Sequence, residues 1–133
     1  MASISSSRSH LVNLSPEEFV QSTQPLRLID VRSRFEYNRF HAPDAINLSL
    51  PHLLMGRVPI LRPWVLPQWF AQLPKETPIA LICLTSHRSP IAAQALVKAG
   101  FSQVFNIAGG MMAWQKAGLP TQKGTAKTAE VSD

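Results

Sequence analysis

Ile79-Ala80-Leu81-Ile82-Cys83-Leu84-Thr85-Ser86-His87-Arg88-Ser89-Pro90 is the stretch on which the fold turns. Four apolar residues bounded by polar ones have the length of a strand buried on both faces, as in a parallel α/β sheet. The residues after the loop read as a helix: Ser89 is a good N-cap, Pro90 suits the first helical position, and Gly100 stands where a left-handed residue ends a helix. Ile91, Ala92, Ala95, Leu96 and Ala99 fall on one face at helical spacing. Cys83, the only cysteine of the chain, therefore opens a strand-loop-helix turn, where loop amides and a helix N-terminus converge on an anion.

A thiolate, not a thiol, is the nucleophile, and a free cysteine with a pKa of about 8.5 is mostly protonated at neutral pH. Positive potential shifts that balance. Arg88 carries a permanent charge, His87 can add one, and the helix dipole with unpaired loop N–H groups favours the anion. Taken alone, a single cysteine is more often a small buried hydrophobe. A polar, arginine-bearing loop between a buried strand and a capped helix is instead where open α/β sheets bind ligands.

The single thiol also excludes mechanisms. Without a resolving cysteine there is no intramolecular disulfide cycle, so thioredoxin-like exchange is ruled out. His10, His41, His52 and His87 are scattered, with no metal-ligand spacing, and no metal site is expected. Neither G-x-G-x-x-G nor a Walker sequence is present, so nothing supports a nucleotide or other cofactor.

Working outward, strands alternate with helices. Leu11 to Leu14 reads as a strand, followed by a helix with Ser15 as N-cap and Glu18 completing a capping box. Leu26 to Val31 is a second buried strand ending at Asp30, a short helix runs from Arg34 to Arg39, and Ala45 to Leu48 is a third strand. Ile79 to Cys83 and Val104 to Ile107 are the fourth and fifth, each followed by a helix. Such alternation implies right-handed crossovers, hence an α/β fold with a central, mainly parallel five-stranded sheet and helices on both faces.

At 133 residues the chain is long enough for one domain with a single core. Residues 1–10 read as a flexible N-terminal tail, 11–120 as the domain and 121–133, rich in Lys, Thr and Ala, as a disordered C-terminal tail. The Ser-rich start lacks the apolar core of a signal peptide and is short for a transit peptide. One cysteine argues against a disulfide-stapled secreted protein and points to a reducing compartment, the cytoplasm. The formal charge of +5 suits anionic substrates or acidic partners. Thirteen Lys and Arg residues spread along the chain, without aromatic interleaving, give no nucleic-acid signature.

The stretch from Pro51 to Pro74 holds five prolines, the two ends included, with Trp64, Trp69 and Phe70 and with Arg57 and Arg62. Prolines and arginines exclude a membrane span there. Trp64 to Leu73 is expected to form a helix over one sheet face, with the proline-rich lead-in crossing the surface near the site.

Cys83-Leu84-Thr85-Ser86-His87-Arg88-Ser89 resembles the C-x-x-G-x-R-S loop of the single-domain rhodanese family of sulfurtransferases, with Ser86 in the usual glycine position. Asp30-Val31-Arg32, Glu36-Tyr37 and His41-Ala42-Pro43-Asp44-Ala45-Ile46-Asn47 are similar to the family's D-V-R…E-[YF]-x-x-G-H-I-P-G-A-I-N, with Phe40 and Asp44 replacing two glycines. Gly109-Gly110, Trp114 and Gly118-Leu119-Pro120 match its closing signature. The likeness spans residues 11–120 in order.

The resemblance implies a rhodanese-like fold and a two-step exchange through a persulfide on Cys83. A small anionic donor such as thiosulfate supplies the sulfur, a thiol or cyanide removes it, and the amides of Leu84, Thr85, Ser86, His87 and Arg88 stabilise the terminal sulfur. Arg88 either binds the donor or orders the loop through a carboxylate. His87 either assists the thiol or the donor, or is an exposed loop residue without a role. Asp30 and Arg32, after a strand expected beside that of Cys83, either support the site or tie turns together. Trp114, Met111 and Met112 read first as core.

Phosphatases and arsenate reductases sharing this architecture use C-x5-R loops, whereas four residues separate Cys83 from Arg88. One amide fewer makes a smaller cradle, suited to a sulfur atom rather than a phosphate. A second possibility is a relay module, loaded and unloaded by protein partners with little turnover of thiosulfate.

Overall fold

The computed structural model describes residues 10–85 and 87–124. Ser86 and most of the two expected tails, 1–9 and 125–133, lie outside the described residues. Five strands, β1 (His10–Leu14), β2 (Arg27–Asp30), β3 (Ile46–Asn47), β4 (Ile79–Ile82) and β5 (Gln103–Ile107), form one all-parallel sheet in the order β1-β5-β4-β2-β3. The helices are α1 (Pro16–Gln21), α2 (Arg34–Arg39), α3 (Leu50–Met55), α4 (Arg62–Val65), α5 (Gln68–Ala71), α6 (Ser89–Lys98) and α7 (Gly110–Lys116).

β4 pairs with β2 and β5 and all four of its residues are buried, which is what its unbroken apolar run requires. Successive side chains point to opposite faces. Ile79, Leu81 and Cys83 meet Leu53 of α3, Phe70 of α5 and Ala92 and Leu96 of α6. Ala80 and Ile82 meet Tyr37 of α2 and Met111 and Trp114 of α7. From β2 the chain passes through α2 on one face to β3 at an edge. From β4 it passes through α6 on the other face to β5, in the opposite direction. The order thus reverses between β2 and β4, whose carboxyl ends open the crevice where α/β sheets hold ligands.

Local signals set the helix starts. Ser15 and Glu18 form the expected capping box, with bonds of 2.7 and 3.0 Å, and Ser33 with Glu36 forms a second one at α2. Gly100 has the left-handed φ of 107° expected of it. Asp44, standing where the resembling family has glycine, also takes a left-handed φ of 66°, a conformation aspartate tolerates better than most residues. Phe40, at the other replaced glycine, has an ordinary extended φ of −171°.

Three expectations are corrected. Ser89 does not cap α6: Arg88 is the N-cap and Ser89 is the first helical residue, its hydroxyl turned into the core. Ile91 is 50% exposed, because the buried arc centres between Ala92 and Leu96 and extends to Ala93; at 3.6 residues per turn Ile91 falls about 120° away. Trp64 to Leu73 is not one helix. Pro67 disfavours helical geometry in the residue before it, so Leu66 is extended at φ −104°, ψ 128°, and the chain makes α4 and α5 instead. The proline-rich segment is divided: Leu53 and Phe70 share a core cluster with Cys83, while Gly56, Arg57, Arg62 and Leu66 line a cleft with Leu96, Ala99 and Phe101 at the end of α6 remote from the loop. At the margins, β1 includes His10, and Gln122 forms an antiparallel bridge with His41, so backbone pairing continues past residue 120. No helix among the described residues is long and apolar enough to cross a membrane.

Candidate active site

Cys83 follows β4 directly and is completely buried, its side chain on the α6 face of the sheet. Its Sγ lies 3.4 Å from Ser89 Oγ, to which the thiol donates. Ser89 Oγ donates in turn to Asn106 Oδ1 on β5, and Asn106 Nδ2 donates to Asn13 Oδ1 on β1 at 2.9 Å. A buried polar chain thus crosses the apolar layer from the thiol to the edge strand. Parallel pairing of β1 with β5 makes Asn13 and Asn106 neighbours in register.

The loop is tied down at both ends. At its start, Cys83 O accepts from Met111 N at 2.7 Å and Leu84 O accepts from Met112 N at 3.0 Å, so the first turn of α7 is committed to these carbonyls. The approach requires glycine. Gly110 has φ 59°, and a Cβ there would stand 2.4 Å from Cys83 O and 2.6 Å from Leu84 O.

At the loop's end, Arg88 Nη1 and Nη2 donate to Glu36 Oε1 and Oε2 at 2.7 and 2.8 Å. Of the two roles open to Arg88, ordering the loop through a carboxylate is the one the geometry takes. Glu36 is also the capping-box residue of α2, accepting from Ser33 N at 3.0 Å. The Arg88 hydrogen bonds, against some desolvation, hold the Glu36 carboxyl down at about 2, and the same carboxylate pushes the guanidinium upward. The pair spans the reversal point, joining the helix that follows β2 to the loop that follows β4.

His87 and Thr85 are exposed, with His87 Nδ1 2.7 Å from Thr85 Oγ1. Asp30 and Arg32 are fully buried against each other at 2.9 Å. Arg32 N also donates to Asp30 Oδ1, and the guanidinium donates to Phe40 O. Asn47 Nδ2 donates to the carbonyls of both residues. The cluster ties the exit of β2 to β3 and to the turn at Phe40. Trp114 and Met111 are buried core, whereas Met112 is 54% exposed. Among the described residues no three His, Cys, Asp or Glu side chains gather as a metal site.

Sequence reading missed Glu36 as the partner of Arg88, and Ser89, Asn106 and Asn13 as a chain behind the thiol. The first was signalled only by the Ser33-x-x-Glu36 spacing, and the chain had no local signal at all.

A family model described as the rhodanese-like domain matches residues 15–117. The chain belongs to the rhodanese-like family. A sulfurtransferase of Allochromatium vinosum is 30% identical over 98 residues, 74% of this chain and 79% of that protein. An uncharacterised protein of Synechocystis is 33% identical over 91% of this chain, which spans 60% of that relative's length. Among solved structures, the polysulfide-sulfur transferase homodimer of Wolinella succinogenes matches with a TM-score of 0.62 and 28% identity, over 85% of this chain and 79% of that one. In this rhodanese-like domain the thiol follows β4, Arg88 is already charge-paired, and Ser89 links the sulfur to a buried amide chain.

Proposed function

We propose that this protein is a sulfurtransferase that moves a sulfane sulfur from a donor such as thiosulfate to cyanide or a thiol. The Cys83 thiolate attacks the outer sulfur of thiosulfate; a new S–S bond forms, the bond to the sulfonate sulfur breaks with its electron pair, and sulfite leaves. Cys83 then carries a persulfide anion. Cyanide or a thiolate attacks the terminal sulfur, thiocyanate or a new persulfide departs, and the Cys83 thiolate is regenerated. No oxidant or reductant is consumed, which suits a site with one cysteine. The same lone thiol favours a reducing compartment, the cytoplasm.

The observation that carries this reading is the Arg88–Glu36 fork. In a phosphatase the loop guanidinium must be free to clamp phosphate oxygens. Here both its outer nitrogens are engaged by a carboxylate, so the loop has no free guanidinium fork to offer an oxyanion. A single anionic sulfur atom fits that loop better than a dianionic tetrahedron. The backbone amides of Leu84 to Arg88 would act on the terminal sulfur as an oxyanion hole acts on oxygen.

The test is intact mass after incubation with thiosulfate. The expected result is gain of one sulfur atom, its loss on adding cyanide with release of thiocyanate, and no gain in Cys83→Ser. Hydrolysis of a phosphate ester without any sulfur adduct would overturn the proposal.

A further inference from the structure

Phe35, Ile91 and Met112 are large apolar residues exposed by 70%, 50% and 54%. Single exposed hydrophobics need no explanation. These three are not scattered. Each belongs to the first turn of a different helix, and each of those turns touches the Cys83 loop. Phe35 precedes Glu36, which holds Arg88. Ile91 is three residues beyond Arg88, in the turn closed by Ala92 N on Arg88 O. Met112 donates its own N–H to Leu84 O. Three separate helices thus set an apolar rim about the loop that opens at Cys83, at the carboxyl edge of the sheet.

In these three first turns the one carboxylate, Glu36, is paired, so the unpaired charge there is positive. Arg34 and Arg39 are exposed on α2, and among the described residues neither has an ion-pair partner. Arg39 Cζ lies 5.8 Å from the centre of the Phe35 ring, so a cation and an exposed aromatic face occupy the same spot. The two carboxylates near the loop are both paired, Glu36 with Arg88 and the buried Asp30 with Arg32. Meanwhile Cys83 itself is completely buried. An acceptor must therefore come close over the loop to reach a sulfur carried there. Cyanide or a small thiolate can use the cationic charge but not the apolar rim, whereas an acidic protein that presents its thiol within an apolar segment fits both features.

We propose that the rim of Phe35, Ile91 and Met112, with Arg34 and Arg39, docks an acidic protein acceptor that offers a cysteine flanked by apolar residues to the Cys83 persulfide. This rests on the persulfide reading above and names the partner of that site. The docking face does not include Gly56, Arg57, Arg62 and Leu66 of the proline-rich segment, which line a cleft at the other end of α6. In the transfer, the acceptor thiolate attacks the terminal sulfur, the Cys83 S–S bond breaks, and the acceptor leaves as a persulfide anion while the Cys83 thiolate returns.

The test uses protein loaded with thiosulfate and three acceptors: cyanide, a synthetic peptide with one cysteine between leucines and Glu/Asp flanks, and its twin with lysine flanks. The acidic peptide is expected to discharge the persulfide saturably and about tenfold faster than its twin. The triple variant Phe35→Ser, Ile91→Ser, Met112→Ser is expected to lose about tenfold against the acidic peptide while its cyanide rate stays within about twofold. Arg34→Glu with Arg39→Glu, which leaves the apolar residues in place, is expected to abolish the preference between the peptides. Equal, non-saturating discharge by both peptides overturns the rim proposal, and so does a triple variant with unchanged peptide rates. A dimer of this chain that the triple variant dissociates also overturns it, giving the rim to a second copy. Failure to load, or to yield thiocyanate with cyanide, overturns the persulfide reading and the docking proposal together, and is distinguished by the cyanide arm.

Discussion

Arg88 grips Glu36 with both outer guanidinium nitrogens, at 2.7 and 2.8 Å, across 52 positions of sequence. The contact joins the element after β2 to the loop after β4 at the point where the sheet changes direction. It ties the end of the loop to α2.

Glu36→Gln removes the charge from this fork. Glu36 ionises at about 2 in the folded protein, below the ordinary 4.5, so its stabilising contribution is complete above about pH 4.5 and is lost as pH falls toward 2. For a bidentate pair about one-third exposed that contribution is about 1 kcal/mol. Urea unfolding of both proteins across this range should show a constant gap above about pH 5 that closes on acidification. Sulfur loading by thiosulfate should fall about tenfold, since the loop loses its outer tie. A gap that widens as pH falls would contradict the assignment.

Gly110→Ala tests the inner tie. The new methyl group would meet Cys83 O at 2.4 Å and Leu84 O at 2.6 Å, backbone atoms that cannot rotate away, in a residue with φ 59°. We expect a loss of at least about 2 kcal/mol together with impaired loading, because α7 and the loop must separate. Gly118→Ala is the control: its φ is 76° but nothing lies within 4 Å of the added Cβ, so only the backbone strain of about 1 kcal/mol remains and loading is unchanged. Thermal or urea unfolding compares the two.

What was legible in the sequence was what neighbours in sequence decide. The apolar run of β4 and the Ser-x-x-Glu box at Ser15 are local signals, and the strand and helix they announce are there. Proline misled where its position mattered more than its presence. Pro51 reads as a breaker but occupies the first turn of α3, where its missing N–H costs nothing, while Pro67 interrupts an apolar stretch whose composition reads as one helix. The site was half legible. Cys83 and the loop follow from the strand end, but the carboxylate for Arg88 and the amide chain behind Ser89 are made by pairing between distant segments, on which spacing is silent.

Asp30→Ala leaves the Arg32 guanidinium buried and without its carboxylate, although Phe40 O still accepts from it. Breaking a buried pair from one side costs about 3–5 kcal/mol, because the remaining charge stays desolvated. The double variant Asp30→Ala, Arg32→Met removes that charge and should recover part of the loss. Denaturant midpoints decide the matter, and a double variant no more stable than Asp30→Ala would show that the pair acts through its hydrogen bonds to Phe40 and the strand exit. Loading of the folded fraction should persist in both, since the hydrogen bonds of this pair run to each other, to Arg32 N and to Phe40 O.

Ser89 has the most consequential position among the residues behind the thiol. Its hydroxyl donates to Asn106 Oδ1, so toward Cys83 it presents a lone pair, matched to an S–H donor at 3.4 Å. Once Cys83 ionises, that hydroxyl can turn and donate to the thiolate instead, giving the anion a charge-assisted hydrogen bond. Asn106 is held against flipping by Asn13 Oδ1, so Asn106 Oδ1 stays in place to accept the hydroxyl again when the thiol is reprotonated. Ser89→Ala should therefore do two things. It strands Asn106 Oδ1 in the core, costing about 1–3 kcal/mol, and it slows loading by thiosulfate about tenfold at neutral pH. Ser89→Thr keeps the hydroxyl and should recover most of the loading rate even if the added methyl lowers stability. Rapid-mixing experiments with intact-mass detection separate the two effects, and Ser89→Ala loading as fast as the parent would remove the hydroxyl from the reaction while leaving its place in the core.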